Sequence, residues 1–413
     1  MTGAKPEFSG LKDALKRVWE VKGVYYRRMA EMGISPDDVN SMEDFQSLPL
    51  TTKEDIRDSY PTGMMACDQA KVVRFHASSG TTGKPTVVPY SAKDLDIWTQ
   101  CMAQCLRTAG VTEKDVFQVI LGYGLFTGAL GFHYGAEAVG AAVVPTGGGF
   151  TDRQLTLMED LGTTVFTSTP SYALHLCEEI EARGIRDRLK LRLAILGGEA
   201  WTEAMRDEIE SRLGVVALNS YGLSEILGPG VAMECPDKVG MHFNDEHFFV
   251  EILDEAGRPL PVGEEGEIVI TSFTKEAFPL IRYRTRDLGR LVEARCSCGR
   301  SGLMLDRVKG RNDDMLIIRG VNVFPSQIEA ALGQVPGLTL NYIIEVEEKG
   351  HLKDMTVLCE SRDFLDPGQG KELFNRSSSR LKEILGIRVN FRLLEPGTLD
   401  RSTGKAVRLR KVS

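Results

Sequence analysis

Leu191-Arg192-Leu193-Ala194-Ile195-Leu196-Gly197-Gly198-Glu199 is a short apolar run that stops in glycine. A helical stretch, Thr202 to Leu213, follows it, and a second apolar run, Val215 to Asn219, follows the helix. Strand, helix and strand at this spacing make a βαβ unit, which needs a parallel sheet covered by helices. The same rhythm extends upstream through Val116 to Leu121, Ala141 to Pro145, Val165 to Ser168 and the helix Tyr172 to Arg183. Ligands of such sheets bind beyond the carboxyl ends of the strands. Two of these ends carry glycine, hydroxyl and carboxylate groups: Gly197-Gly198-Glu199 and Ser220-Tyr221-Gly222-Leu223-Ser224-Glu225.

Outside this block the texture changes. The chain opens with Leu11, Leu15, Val18 and Trp19 on one helical face. Past about residue 248, strands alternate with Asp-Glu-Ala-Gly and Gly-Glu-Glu-Gly turns, the signature of an antiparallel, barrel-like subdomain. After Gly310-Arg311-Asn312-Asp313-Asp314, the strand Met315 to Ile318, helix Ser326 to Leu332, strands Tyr342 to Val346 and Met355 to Cys359, and helix Lys371 to Leu385 form a small α+β unit. The expected fold is therefore α/β: a large N-terminal domain with parallel sheets in βαβ units plus the barrel-like subdomain, then a small C-terminal domain.

The chain has 413 residues and a formal charge of −8, which suits a soluble enzyme and argues against a nucleic-acid partner, since that calls for a basic face. Residues 1–10 carry no apolar signal core, and no apolar run reaches the roughly 18 residues of a membrane span. A cytoplasmic location without membrane contact is expected. The eight unevenly spaced cysteines suit reduced thiols with one metal cluster rather than a disulfide framework. Cys296 and Cys298 lie on one tight turn; with Cys235 and His242 they would complete a closed tetrahedral zinc site. Inert reduced thiols are the alternative, and His247 is a competing ligand. Cys101 and Cys105, at i and i+4 on a helix, read as core thiols.

Ser78-Ser79-Gly80-Thr81-Thr82-Gly83-Lys84-Pro85 follows the run Val72 to Phe75 and is built to wrap a phosphate. Glycines let backbone N–H groups approach the anion, hydroxyls add neutral donors, and the lysine adds a point charge. It is not the loop of the P-loop NTPases, whose spacing differs and whose lysine opens a helix; here Pro85 follows.

Five motifs in order, Ser78 to Pro85, Tyr221 to Glu225, Tyr283-Arg284-Thr285-Arg286-Asp287, Gly310 to Asp314 and Asp400-Arg401-Ser402-Thr403-Gly404-Lys405, resemble the adenylate-forming acyl-CoA synthetase superfamily. Leu48-Pro49-Leu50-Thr51-Thr52-Lys53, Tyr123-Gly124-Leu125-Phe126-Thr127-Gly128 and Arg319 to Pro325 resemble its phenylacetate-CoA ligase group. The likeness spans essentially the whole chain. It implies an acid–thiol ligase that uses ATP, Mg²⁺ and coenzyme A on an aryl carboxylate, with an acyl-adenylate intermediate and release of AMP. It also implies a domain of residues 1–312, a mobile domain of residues 313–413 with its hinge at Asp313, and a homodimer as the common assembly.

By that resemblance Thr81, Thr82 and Lys84 embrace the β- and γ-phosphates, with Ser78, Ser79, Gly80 and Gly83 in the same loop. Glu225 holds Mg²⁺, Gly198, Glu199 and Ala200 run along the adenine, and Tyr221, Gly222 and Ser224 bind the nucleotide, Tyr221 as a stacking face for the base or its neighbour. Asp287 accepts the ribose hydroxyls unless it only neutralises Arg282, Arg284 and Arg286; Arg311 meets the nucleotide, and Lys405 neutralises the carboxylate and α-phosphate. Tyr123 and Phe126 are expected as aromatic walls of the acyl pocket, with space left by Gly128 and Gly198. The same motifs would suit an enzyme of this fold that activates another aryl acid, adenylylates a deazaflavin cofactor or loads a carrier protein, and a non-catalytic nucleotide-binding protein is the reading of another class.

Overall fold

A computed structural model describes residues 8–78, 85–314, 316–318, 321–349, 352–402 and 406–412. Among them the central element is a nine-stranded sheet in the order Leu291–Arg295, Ser301–Leu305, Met241–Phe243, Gly228–Glu234, Val216–Leu223, Leu193–Gly197, Val165–Ser168, Val116–Val119 and Ala142–Val144. The last five strands are mutually parallel, as the βαβ rhythm predicts, and the first four are antiparallel. Val165–Ser168 is buried along its whole length, which is why it reads as a short continuous run rather than an alternating one.

The strand beginning at Val216 does not stop at Asn219 but continues to Leu223. Its antiparallel neighbour Gly228–Glu234 supplies partners, Ser220 to Met233 and Gly222 to Pro229, so the Tyr-Gly-Leu motif is strand and only Ser224 onward is turn. Gly222 is obligatory there for closeness: a Cβ at this position would fall 1.9 Å from the Gly228 carbonyl oxygen. The helix Glu203–Leu213 lies against this strand, and from it Arg206 makes a buried bidentate pair with Glu234, at 2.8 Å on each arm. The backbone N–H of Asn219 donates to the same carboxylate.

A four-stranded antiparallel sheet, Phe248–Leu253, Gly266–Ser272, Tyr283–Gly289 and Gly310–Arg311, forms the expected subdomain. The N-terminal helix Phe8–Glu20 buries Leu11, Leu15 and Val18 in the same core. In the C-terminal unit, strands Leu338–Lys349, Leu352–Ser361, Asn390–Leu394 and Leu409–Val412 make a sheet packed with helices Pro325–Gly333 and Pro367–Leu385. Gly333 lets that unit approach the helix Glu203–Leu213 closely, since its Cβ would meet Ala204 at 2.4 Å. No helix among the described residues is long and apolar enough to cross a membrane.

Removing Glu234 takes the buried bidentate partner from the Arg206 cation and leaves it only the exposed Glu203, at 3.0 Å, so Glu234→Ala is expected to lower stability by about 3 kcal/mol in urea denaturation. Asp152→Ala, which breaks a solvent-exposed pair with Arg183, is expected to cost less than about 1 kcal/mol. Equal losses in the two variants would contradict the role given to the buried pair.

Candidate active site

The sheet's parallel strands deliver their carboxyl ends to one edge, and Glu225 stands there on the turn after Leu223. Its carboxylate is buried. Thr86 donates a hydrogen bond to it at 3.2 Å, and Lys53 Nζ forms an ion pair with it at 3.0 Å. Burial pushes the Glu225 acid upward in pKa, but the Lys53 charge and the hydrogen bonds outweigh it and hold the group below the usual carboxylate range. Ser78 lies opposite Thr86 in the antiparallel ribbon Val72–Ser78/Thr86–Ser91, and the two hydroxyls are hydrogen-bonded. The ribbon thus sets Thr86 against Glu225 with Ser78 hydrogen-bonded behind it. Ser79, Gly80, Thr81, Thr82, Gly83 and Lys84 lie outside the described residues, as does Lys405.

The Glu225 turn is fixed from below. Tyr90 donates its hydroxyl to the carbonyls of Leu227 and Ser224, at 3.0 and 3.3 Å. Lys275 donates to the carbonyl of Ile226 at 3.0 Å and sits 4.3 Å from the Tyr90 ring centre. Burial brings the Lys275 ammonium down to a pKa of about 7. Ser224 is hydrogen-bonded through its hydroxyl to Thr127 at 3.0 Å, which ties this turn to the start of the helix Gly128–Val139.

Asp287 is on the strand Tyr283–Gly289, paired across to Arg311. Each neighbouring arginine has a glutamate of its own: Arg282 with Glu251, Arg284 with Glu267 and Arg286 with Glu54. Neutralising those arginines is therefore not what requires Asp287. Its two oxygens are held instead by the Tyr221 hydroxyl at 2.7 Å and by Arg311 at 3.3 Å. Tyr221 is largely buried, and its hydroxyl serves to orient the aspartate. The turn Asn312–Asp314 follows Arg311 directly; the Asp313 side chain lies outside the described residues.

On the adjacent strand end, Gly198 adopts φ +84° and Ala200 is exposed. Glu199 splits its carboxylate: one oxygen accepts the Ser171 N–H at 2.7 Å, the other the Ala406 N–H at 2.8 Å. The residue after Lys405 is thus hydrogen-bonded to a predicted nucleotide-site residue. Tyr123 and Phe126 occupy the exposed loop after Val116–Val119, at 37% and 52% accessibility, and Gly128 opens the next helix. Tyr123 meets His133 edge-on and hydrogen-bonds it at 3.0 Å. These aromatics stand at the ligand edge of the sheet, on an open rim and not in a closed cavity.

At the antiparallel end of the sheet Cys235, His242, Cys296 and Cys298 place all four ligand atoms within 4.8 Å of one another. Cys296 Sγ is 3.0 Å from both Cys235 Sγ and Cys298 Sγ, and Cys298 Sγ is 3.3 Å from His242 Nε2. Three sulfurs and one imidazole fit a closed tetrahedral zinc site, with no position left for substrate. Asp237 accepts from the Ser297 hydroxyl at 2.8 Å, so the thiol-bearing turn is braced from outside the cluster. His247, the competing candidate, is instead hydrogen-bonded to Thr274 at 2.9 Å, and Cys101 and Cys105 are buried.

Lys53, Thr86 and Lys275 were not singled out as site residues by the sequence. Lys53 alone carried a signal, because it closes the Leu-Pro-Leu-Thr-Thr-Lys motif.

The AMP-binding enzyme family matches residues 35–274 and the AMP-binding enzyme C-terminal domain matches residues 320–411. The phenylacetate-coenzyme A ligase of Escherichia coli (strain K12) is 46% identical over 97% of this chain and 92% of the relative. That of Pseudomonas putida is 47% identical over 96% and 91%. The crystal structure of a 2-hydroxyisobutyryl-CoA ligase in the postadenylation state with 2-HIB-AMP superposes with a TM-score of 0.92 at 25% identity, covering 98% of this chain and 88% of that one. The same ligase in the thioesterification state, with 2-HIB-AMP and CoA, gives 0.72. The chain belongs to the AMP-binding enzyme family and, within it, to the family of the phenylacetate-coenzyme A ligases.

Purified protein is expected to hold about one zinc ion per chain, and Cys298→Ser to lower that content at least several-fold, because one of four ligands is lost. Atomic absorption on protein prepared without chelators reads this out; equal zinc in the variant, or none in the parent, sinks the cluster's role.

Proposed function

We propose that this chain is an AMP-forming arylacetate-CoA ligase whose acid is phenylacetate. In the first half-reaction a carboxylate oxygen attacks the α-phosphorus of ATP, the bond to the bridging oxygen breaks, and acyl-adenylate and diphosphate result. In the second the thiol of coenzyme A attacks the acyl carbon, loses its proton, and AMP leaves. The observation that carries the reading is the 46% identity to a phenylacetate-coenzyme A ligase along nearly all of both chains. The geometry supports it through two buried carboxylates, Glu225 after the end of the strand Val216–Leu223 and Asp287 on the four-stranded sheet, which the hydroxyl of Tyr221 from that same strand joins.

The chemistry explains the parts. An adenylate is activated because AMP leaves far more easily than oxide, so the enzyme must stabilise charge around phosphorus with fixed cations and donors. Glu225 would hold Mg²⁺, which supplies charge neutralisation on the phosphates when bound; a hard oxygen donor suits that cation. Thr86 and Lys53 give this carboxylate one donor and one positive charge, and Ser78 hydrogen-bonds Thr86. Asp287, oriented by Tyr221 and Arg311, presents acceptor oxygens to ribose hydroxyls. Tyr123 and Phe126 offer apolar faces to the aryl ring. Lys405 would arrive on the C-terminal domain, residues 313–413, turning about Asp313, and the Cys₃His cluster would hold structural zinc.

The test is phenylacetate-driven ATP–pyrophosphate exchange. Exchange is expected in the parent and should fall by at least about a hundredfold in Lys405→Ala, the scale of a lost electrostatic contact to a transition state. The same variant, given phenylacetyl-adenylate, should still form thioester. Normal exchange without the lysine overturns its assignment, and exchange driven by a different acid while phenylacetate is inert overturns the substrate. In Glu225→Gln the Mg²⁺ concentration giving half-maximal AMP formation should rise about tenfold or more, since a charged ligand becomes neutral.

A further inference from the structure

The segment that carries Lys405 has no regular structure of its own at residues 400–402 and 406–408. Its position therefore depends on anchors at either side. Downstream, the Ala406 N–H donates to Glu199 and Arg408 donates to the Ser171 hydroxyl at 3.3 Å. Upstream, the Leu399 N–H donates to Glu360 at 2.5 Å and the guanidinium of Arg401 makes a larger set of contacts.

Arg401 uses all five of its N–H donors. Nε and Nη2 donate to the two oxygens of Glu178 at 2.8 and 3.2 Å. Nη1 and Nη2 donate to the two oxygens of Glu360 at 3.0 and 2.8 Å, and Nη1 also donates to the Leu399 carbonyl at 2.9 Å. Glu360, on the strand Leu352–Ser361, belongs to the same unit as Arg401 and is fully buried. Glu178 belongs to the other: it is on the helix Pro170–Arg183 of the large unit, with its side chain 27% exposed. Asn341 of the C-terminal unit donates to the same carboxylate at 2.9 Å.

The two carboxylates differ in what they do. Glu360 stays with Arg401 however the units are arranged, so it shapes the segment. Glu178 is bonded only while the units face each other as they do here, in the arrangement that matches the postadenylation ligase at 0.92 and the thioesterification ligase at only 0.72. Partial exposure lets water replace the two Arg401 bonds when they part, which makes the contact reversible where a fully buried pair would not be. Burial by itself would raise the Glu178 acid, but nearby His175 and the hydrogen bonds and charge of Arg401 offset it and bring the pKa to about 2, so the carboxylate is ionised at neutral pH.

We propose that Glu178 is a positioning residue for adenylation: by gripping Arg401 across the domain boundary, it holds the segment that leads to Lys405 for the first half-reaction and is released before the second. This rests on the ligase reading above. It assigns no contact between Glu178 and substrate.

The test is Glu178→Gln in the full-length protein, read three ways. In ligand-free protein, amide hydrogen exchange across residues 399–408 should quicken about tenfold or more, while the strands Leu338–Lys349 and Leu352–Ser361 keep their protection. Phenylacetate-driven ATP–pyrophosphate exchange should fall about tenfold or more, and thioester formation from supplied phenylacetyl-adenylate should stay within about twofold, because only the first arrangement needs the grip. Glu178→Asp, which keeps the charge on a shorter arm, should recover part of the adenylation. Unchanged hydrogen exchange in 399–408, or equal loss of both half-reactions, overturns the proposal. If the parent shows no phenylacetate-driven exchange, the ligase reading fails separately, and hydrogen exchange alone then upholds or overturns the grip of Glu178 on the segment.

Discussion

Keeping an ionised carboxylate inside a protein obliges the fold to bring compensating charge and donors to it, and position 225 sets that obligation here. The partners come from segments far apart in sequence: Lys53 from the N-terminal helices, Thr86 from the ribbon, Tyr90 and Lys275 beneath the turn. Thr86 and Tyr90 share the strand Thr86–Ser91 while Lys53 and Lys275 come from elsewhere, so the site is only as well defined as the packing of these three segments. The buried Arg282–Glu251 pair shows how that is done, because Arg282 also donates to the Leu48 carbonyl at 2.6 Å and Thr51 pairs with Tyr283. The segment that ends in Lys53 is thereby stitched to the strand that carries Asp287.

The large sheet divides its labour along its width. Its parallel half sends strand ends and their turns to the ligand edge, where Glu199 and Glu225 emerge. Its antiparallel half turns back on itself through hairpins, and the cysteine and histidine cluster gathers there, joining Cys235 and His242 to the turn after Leu291–Arg295. The buried Arg206–Glu234 pair sits between these halves, under Asn219 and next to Cys235. Mechanical support for the site thus reaches it from the far side of the sheet.

Much of this could be read from the chain itself. The βαβ block was legible because its strands are continuous apolar runs and its helices have the right length. The Cys₃His cluster was legible as a set of residue types, although 61 residues separate the Sγ partners Cys235 and Cys296. Pairing across distant segments was not. Nothing local marks Glu178, an ordinary helical glutamate, as the partner of Arg401, 223 residues away. The extension of the strand through Tyr221-Gly222-Leu223 was hidden for a different reason: glycine and serine signal a turn by propensity, and the neighbouring strand overrides that preference. Tyr123 and Phe126 were identified by type and loop position, yet their exposure depends on tertiary placement that no periodicity records.

Gly222 bears on how variants of this chain should be interpreted. It lies inside a sequence motif associated with nucleotide handling, three residues before Glu225, yet the demand for glycine comes from the backbone of the next strand pressing against its α-carbon. Any side chain there would wedge two strands apart. A mutational scan would score position 222 as intolerant even if it never touched ATP, and inactivity in such a variant measures the spacing of a β-ladder, with no information about the ligand.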